Sequence, residues 1–160
     1  MKRVLFIVCG ILGVGALTAV GVAATSHTSA TTFRLVEKGE SFHFVDNPPF
    51  GGQDRPPSQG DSLTLTSSLW TTDGKRAGTL RATCTVTEGG SGAGASTCYG
   101  TFGLKGGQLA GITTVRGEGR ITRIAIVGGT GSYEGARGSV ISVTRRSNDR
   151  FSDDTIHLMG

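Results

Sequence analysis

One glycine-rich segment decides the fold, and it reads IAIVGGTGSYEGARGSV (Ile124–Val140). Its first four residues are mostly β-branched and predict a strand, and Val140 begins a second strand. The connection between them is too short for a parallel crossover, which needs a dozen residues or more. We therefore expect the two strands to be antiparallel neighbours.

The same segment has some likeness to a dinucleotide-binding loop. Gly129 and Gly131 would supply two of its glycines, but Glu134 stands where the third is needed. That loop also requires a following helix whose N-terminus meets the pyrophosphate, whereas here Gly135 and Gly138 lead into another strand. A tight turn with several glycines at positive φ is the favoured interpretation.

The first residues of the chain are typical of a secretory signal peptide. Lys2 and Arg3 precede an almost continuous apolar run from Val4 to Ala24, which small residues close. An uncleaved membrane anchor is the alternative, because the run is about long enough to span a bilayer. We expect residues 1–24 to be removed, with cleavage as late as Ala30 the other option. Residues 31–160 would then form one secreted domain with no stable membrane insertion.

The charge distribution argues against a nucleic-acid partner. The formal net charge of +4 includes Lys2 and Arg3, which would leave with the signal peptide. The remaining basic residues are scattered, and the few aromatic residues do not form a stacking platform.

Two cysteines, Cys84 and Cys98, follow the predicted signal peptide. In an oxidising compartment a disulfide is the leading interpretation, and closing a loop of this size is worth about 3 kcal/mol. A metal site has little support without a nearby histidine, and we expect none. A catalytic role for one of these thiols is the alternative, but it would need a base close by.

The remaining pattern predicts an all-β domain. Phe33–Val36 is expected to form a hairpin with Ser41–Val45 around a polar turn that contains Gly39. No segment has a convincing helical period, and seven to nine short strands are expected to close into an antiparallel barrel. The further predicted strands are Ser62–Thr71, Arg76–Thr87, Cys98–Leu104, Leu109–Arg116, Ile121–Val127, Ser139–Arg145 and Thr155–Met159.

A long loop, residues 46–61, contains all four prolines of the chain. Prolines disfavour helices and central strands, and long loops in compact domains are often functional. The loop carries a cluster of polar side chains with catalytic potential, namely Asp46, Asn47, Asp54 and Arg55. A stiff lid or rim and a merely solubilising surface loop are both open interpretations.

Several of these features together resemble the allene oxide cyclase and dirigent barrels. The segment VGGTGSYEGARG (Val127–Gly138) is similar to a signature near the end of those proteins. Weaker similarities are Gly60-Asp61, Gly78 and Gly106-Gly107. The resemblance covers most of the chain from Phe42 to Val143, and it implies an eight-stranded antiparallel β-barrel around a cavity for a hydrophobic, reactive small molecule.

The resemblance also implies candidate site residues. Arg137 matches the Arg of a dirigent-like Ala-Arg-Gly, Tyr133-Glu134-Gly135 resembles a cyclase-like motif, and Asp46 lies near the ligand-polarising positions of the family. A structural role as an aromatic plug and a salt bridge beside a turn is the alternative. The candidate catalytic residues are Asp46, Asn47, Glu134 and Arg137, and the candidate ligand-binding residues are Phe50, Trp70 and Tyr133.

Three functions follow from this resemblance. The first is binding of an apolar small molecule and guidance of its cyclisation or isomerisation, with no metal or other cofactor, largely by orientation. The second is a non-catalytic carrier or extracellular interaction module. The third is dirigent steering of radical coupling, which would need a separate oxidase. A homo-oligomer is compatible with each of them.

Overall fold

The computed structural model describes residues 30–48, 56–90, 94–117 and 119–160. The predicted signal peptide and three loop candidates, Phe50, Asp54 and Arg55, lie outside these residues. Within them the chain forms eight strands: β1 (Thr31–Val45), β2 (Ser62–Thr71), β3 (Arg76–Glu88), β4 (Ala95–Leu104), β5 (Gly107–Arg116), β6 (Ile121–Gly131), β7 (Arg137–Thr144) and β8 (Phe151–Met159).

The strands close into an antiparallel barrel in which each strand pairs with its neighbours in sequence. Closure is made by β1 and β8, whose paired residues run from Thr31–Leu158 to Lys38–Phe151. The prediction of an eight-stranded antiparallel β-barrel is confirmed. The described part of the chain contains no helix that is long and apolar enough to cross a membrane.

The glycine-rich segment forms the tight β6–β7 connection that the sequence predicts. Gly131 and Gly135 both have positive φ, 61° and 74°. A Cβ at Gly131 would lie 2.2 Å from the Gly106 carbonyl oxygen, so a side chain there would collide with the β4–β5 turn. The Ser132 amide donates a 2.9 Å hydrogen bond to that same carbonyl, which joins the two turns.

The predicted hairpin between Phe33 and Val45 is wrong, because this segment is one continuous strand, β1. A β-bulge interrupts its pairing with β2: Gly39 is paired with Ser67 and Ser41 with Thr66, which leaves Glu40 as the extra residue. The Gly39 amide bonds instead to the Arg150 carbonyl oxygen in the β7–β8 connection, at 2.8 Å. The polar residues that suggested a turn are therefore part of a bulged strand.

The two ends of the barrel differ in their connections. The short turns after β2, β4 and β6 lie at one end, where a buried cluster fills the interior, and we call it the closed end. The connections after β1, β3, β5 and β7 lie at the other, open end. The buried cluster takes one inward side chain from each strand: Leu35, Leu69, Leu80, Phe102, Leu109, Ile126, Val140 and Ile156.

Candidate functional site

A cavity begins where the buried cluster ends, because the next inward residues are small or polar. Side chains alternate across a strand, so the residue two positions further along each strand again faces the interior. The eight residues at these positions are Glu37, Ser67, Ala82, Gly100, Gly111, Ile124, Ser142 and Asp154. Most of them have too little volume to fill the barrel.

The cavity measures about 380 Å³, which is within the range of small-molecule sites. Phe102 and Leu80 of the buried cluster form part of its floor. Apolar walls come from Leu63, Leu65, Ala82, Val115 and Ile124, and polar groups come from Glu37, Thr113, Thr122, Ser142, Thr144 and Ser152. Glu37 is the only charged residue among the described residues that line the cavity.

A disulfide between Cys84 and Cys98 forms part of the cavity wall, which confirms the predicted pairing. The two residues are directly opposite each other on β3 and β4. Both face the interior and both are buried. The bond therefore joins two strands in the open half of the barrel, outside the main buried cluster.

Asp154 on β8 is a buried carboxyl group on the inward face of the barrel, next to the cavity-lining residues Glu37 and Ser142. It is 1% exposed, and neither of its oxygens has a hydrogen-bond partner among the described residues. Burial and the nearby charge of Glu37 raise the pKa of Asp154 to about 7, although the Ser142 hydroxyl on β7 acts in the opposite direction. Near neutral pH this group can therefore hold or release a proton.

Glu37 on β1 is the second carboxyl group of the pair. Glu37 is paired with Ser152 and Asp154 with Leu35, so the two acids are diagonal neighbours on adjacent strands. Burial raises the pKa of Glu37, and a hydrogen bond with Ser67 partly opposes this increase. Two such groups titrate as a coupled pair, in which one carboxyl can be protonated while the other is ionised.

The neighbouring residue Asp153 lies on the opposite face of β8, and its pKa is shifted in the opposite direction. It points outwards, and its carboxylate forms a salt bridge with Arg145 at 2.5 Å. This interaction lowers the pKa of Asp153, whereas burial raises the pKa of Asp154. Two adjacent aspartates thus differ in protonation because one faces solvent and the other faces the interior.

Two predicted catalytic residues, Asp46 and Asn47, follow β1 at the open end. The Asn47 amide donates to Asp61 Oδ1 at 2.8 Å, and its side-chain Nδ2 donates to the Gly60 carbonyl at 2.9 Å. Asp61 is buried and also accepts from the Ser58 amide at 2.7 Å. Asn47 therefore fastens the two ends of the long loop to each other.

The other predicted site residues lie at the closed end. Arg137 donates from Nη1 to the Val127 carbonyl at 3.1 Å, Glu134 is exposed in the β6–β7 turn, and Tyr133 packs against the buried cluster. Trp70 donates to Ser68 Oγ at 3.0 Å, and the Arg76 guanidinium lies 5.5 Å from its ring centre. The structure thus separates these residues from Asp46 and Asn47, and none of the described candidates for catalysis or ligand binding lines the cavity.

Sequence reasoning missed both carboxyl groups of the cavity, although the sequence contains a signal for them. Glu37 has the same alternation as Phe33 and Leu35, and Asp154 has the same alternation as Ile156 and Leu158. An acidic residue in the apolar phase of a strand is a buried acid. Among the described residues, no group of three or more His, Cys, Asp or Glu side chains is arranged to hold a metal ion.

Comparisons with known proteins agree with this architecture. No known family model and no curated protein sequence matches the chain. Among solved structures it is similar to a pyocyanin demethylase, with a TM-score of 0.68 and 21% identity over 81% of this chain and 100% of that one. It is also similar to a pterocarpan synthase dirigent protein, with a TM-score of 0.64 and 17% identity over 83% of this chain and 96% of that one.

A third similar structure is AbnU, an exo-specific intermolecular Diels-Alderase, with a TM-score of 0.61, 14% identity and full coverage of that chain. These neighbours include dirigent proteins and cyclases, and all of them share the closed barrel. The chain therefore has the allene oxide cyclase/dirigent-like fold, as its glycine-rich segment predicts. At these identities the likeness establishes the fold alone.

Proposed function

We propose that this protein is a secreted barrel that binds an apolar small molecule and guides its cofactor-free cyclisation or isomerisation. The observation that carries the proposal is a largely apolar cavity of about 380 Å³ that is lined by the acid Glu37, which has the buried carboxyl group of Asp154 as its neighbour. The Cys84–Cys98 disulfide is consistent with an oxidising compartment.

The carboxyl pair would act by proton transfer. The ionised carboxylate takes a proton from the bound molecule, and the protonated partner returns one at another atom, so the net result is an isomerisation. Groups that titrate near the working pH are effective acids and bases, and the pKa of Asp154 is about 7. For a cyclisation the protonated carboxyl would polarise one end of the substrate while the cavity wall restricts its conformation.

Two alternatives use the same cavity. A carrier would bind the molecule without converting it, and a dirigent protein would hold radicals made by a separate oxidase. The sequence-based candidates Asp46, Asn47, Glu134 and Arg137 stay predictions, as do ligand contacts by Phe50, Trp70 and Tyr133 and the possibility of a homo-oligomer. Dirigent and Diels-Alderase neighbours are consistent with steering or cyclisation.

Native mass spectrometry on protein incubated with an organic extract of its producing organism tests the proposal. Retention of a small molecule, followed by its conversion to an isomer of the same mass, is expected. Glu37→Gln and Asp154→Asn should retain the molecule but lose most of the conversion, whereas the outward-facing Asp153→Asn should behave as wild type.

The alternatives give different results in that experiment. Retention without conversion by the wild-type protein would indicate a carrier. Conversion at an unchanged rate by both carboxyl variants would remove Glu37 and Asp154 from the mechanism, and absence of any retained molecule would contradict the proposal as a whole.

A further inference from the structure

The charged side chains in and around the cavity indicate which class of ligand it can bind. Glu37 lines the cavity, the buried Asp154 lies next to Glu37, and no Lys, Arg or His occurs among the described lining residues. The other described lining residues with polar side chains are serines, threonines and Tyr99. Within this cavity a ligand carboxylate would therefore meet an acid and hydroxyls. The cation Arg150 lies in an adjoining hollow that Glu37, Phe42, Leu65 and Ser152 also line.

Asp154 adds an independent observation, because it is a buried acid without a cationic partner among the described residues. Its side chain is 1% exposed, faces the barrel interior and leaves both oxygens without a hydrogen bond among the described residues. Buried charges in proteins are normally paired. The missing partner can be supplied by a bound molecule that carries a positive charge.

The surroundings of Asp154 restrict where that partner can come from. The strand β1 contributes Leu35 and the acid Glu37, and β7 contributes the Ser142 hydroxyl. The adjacent Asp153 faces the outside, where Arg145 already neutralises it. No described group facing Asp154 from these strands is a cation.

We propose that the cavity selects an apolar organic cation, an ammonium or an alkylated nitrogen heterocycle, whose charge lies against Glu37 and close to the buried Asp154. This inference names the ligand class of the proposed small-molecule site and rests on that site being used. The apolar walls and the Phe102 floor hold the hydrocarbon part of the ligand, and an aromatic face also favours a cation.

Such a ligand would bind more tightly as the pH rises. The cation pairs with ionised carboxylates, and Asp154 has a pKa of about 7 in the free protein. Below that pH, binding must first displace a proton, so affinity for a permanently charged cation should increase between pH 6 and pH 8. A neutral ligand of the same shape would not show this dependence.

Three matched probes test the inference by isothermal titration calorimetry at pH 6 and pH 8: (2-naphthylmethyl)trimethylammonium, 2-naphthylmethanol and 2-naphthylacetate. At pH 8 the cation should bind at least tenfold more tightly than the alcohol, and the anion should bind most weakly. The cation's affinity should rise severalfold from pH 6 to pH 8, and titrations in two buffers of different ionisation enthalpy should show proton release.

Variants complete the test. Asp154→Asn and Glu37→Gln should each reduce the preference for the cation and flatten its pH dependence, while binding of the alcohol is retained; Asp153→Asn should match the wild type. Equal binding of cation and alcohol, or tighter binding of the anion, overturns the cation inference but leaves the small-molecule site in place. Failure of all three probes to bind contradicts the inference and the proposed site together.

Discussion

The closed and open halves of this barrel are formed by the same strands but are stabilised by different interactions. In the closed half, inward side chains such as Leu69, Leu109 and Ile156 are completely buried and fill the interior. In the open half the inward residues surround a cavity instead of filling the interior, and a disulfide joins β3 to β4. The difference indicates that the closed half is stabilised by a packed interior, whereas the open half leaves the cavity in which we propose that the ligand binds.

The largest expected effect tests the closed half. Leu69→Ala should lower the free energy of unfolding by about 2–5 kcal/mol, because it leaves a void in a filled interior. Leu63→Ala, in the cavity wall of the same strand, is the matched control and should cost clearly less. Urea denaturation of both variants measures the comparison, and equal losses would mean that the two halves are equally packed.

The second prediction concerns Asp154 and pH. Its pKa is about 7 in the folded protein against 3.8 for a free aspartate, so the folded state binds the proton more tightly. This contribution to stability is complete below pH 3.8 and is lost as the pH rises through about 7. It amounts to as much as about 4 kcal/mol for a shift of this size.

Denaturation of wild type and Asp154→Asn from pH 4 to pH 8 measures this contribution. The variant should gain stability relative to wild type across this interval, because it has no carboxylate to ionise. Asp153→Asn should show no such relative gain, since the pKa of Asp153 is lowered by Arg145. A constant difference between wild type and Asp154→Asn at every pH would contradict the buried acid.

The third prediction concerns the disulfide of the open half. Replacing Cys84 and Cys98 together by Ala should destabilise the protein by about 3 kcal/mol, the value expected for closure of a loop of this size. Ligand affinity should fall as well, because the bond is part of the cavity wall. Thermal denaturation with and without a reductant checks this, and the double variant should be insensitive to the reductant. Unchanged stability would show that the open half does not depend on the bond.

The smallest expected effect is at the outer surface of the closed end. Arg137→Leu removes a hydrogen bond to the Val127 carbonyl, and Arg137 is not among the described lining residues, so ligand affinity should change less than about twofold. The same calorimetric titration measures this, with Glu37→Gln as the positive comparison. A large loss of binding or conversion would instead support the sequence-based assignment of Arg137.

Much of the fold was predictable because its signals are local. Glycines that turn the chain, alternation in β2 to β4 and two cysteines in the apolar phase all depend on a few neighbouring residues, and the barrel and the disulfide followed from them. The β1 hairpin was wrong because the inward phase changes at Glu40, from Phe33 and Leu35 to Phe42 and Phe44. A change of phase is produced equally by a turn and by a bulge, and only the pairing partners distinguish the two.

The candidate site was harder to predict because it depends on closure of the barrel. Glu37 and Asp154 are far apart in the chain and meet only because β1 pairs with β8. Sequence reasoning favoured polar residues in loops and turns, namely Asp46, Asn47, Glu134 and Arg137, which the structure places at opposite ends of the barrel. A search for acids in the apolar phase of strands would have identified the interior pair.

The bulge at Glu40 also affects how this chain should be compared with its relatives. Residues before it face inward at odd positions and residues after it at even positions, because Glu40 adds one residue opposite β2. An alignment with a relative whose first strand is regular therefore needs a gap of one residue opposite Glu40. Without that gap, every position from Ser41 to Val45 would be compared with a residue on the other side of the barrel wall, and Phe42, which lines the cavity, would be matched to a surface position.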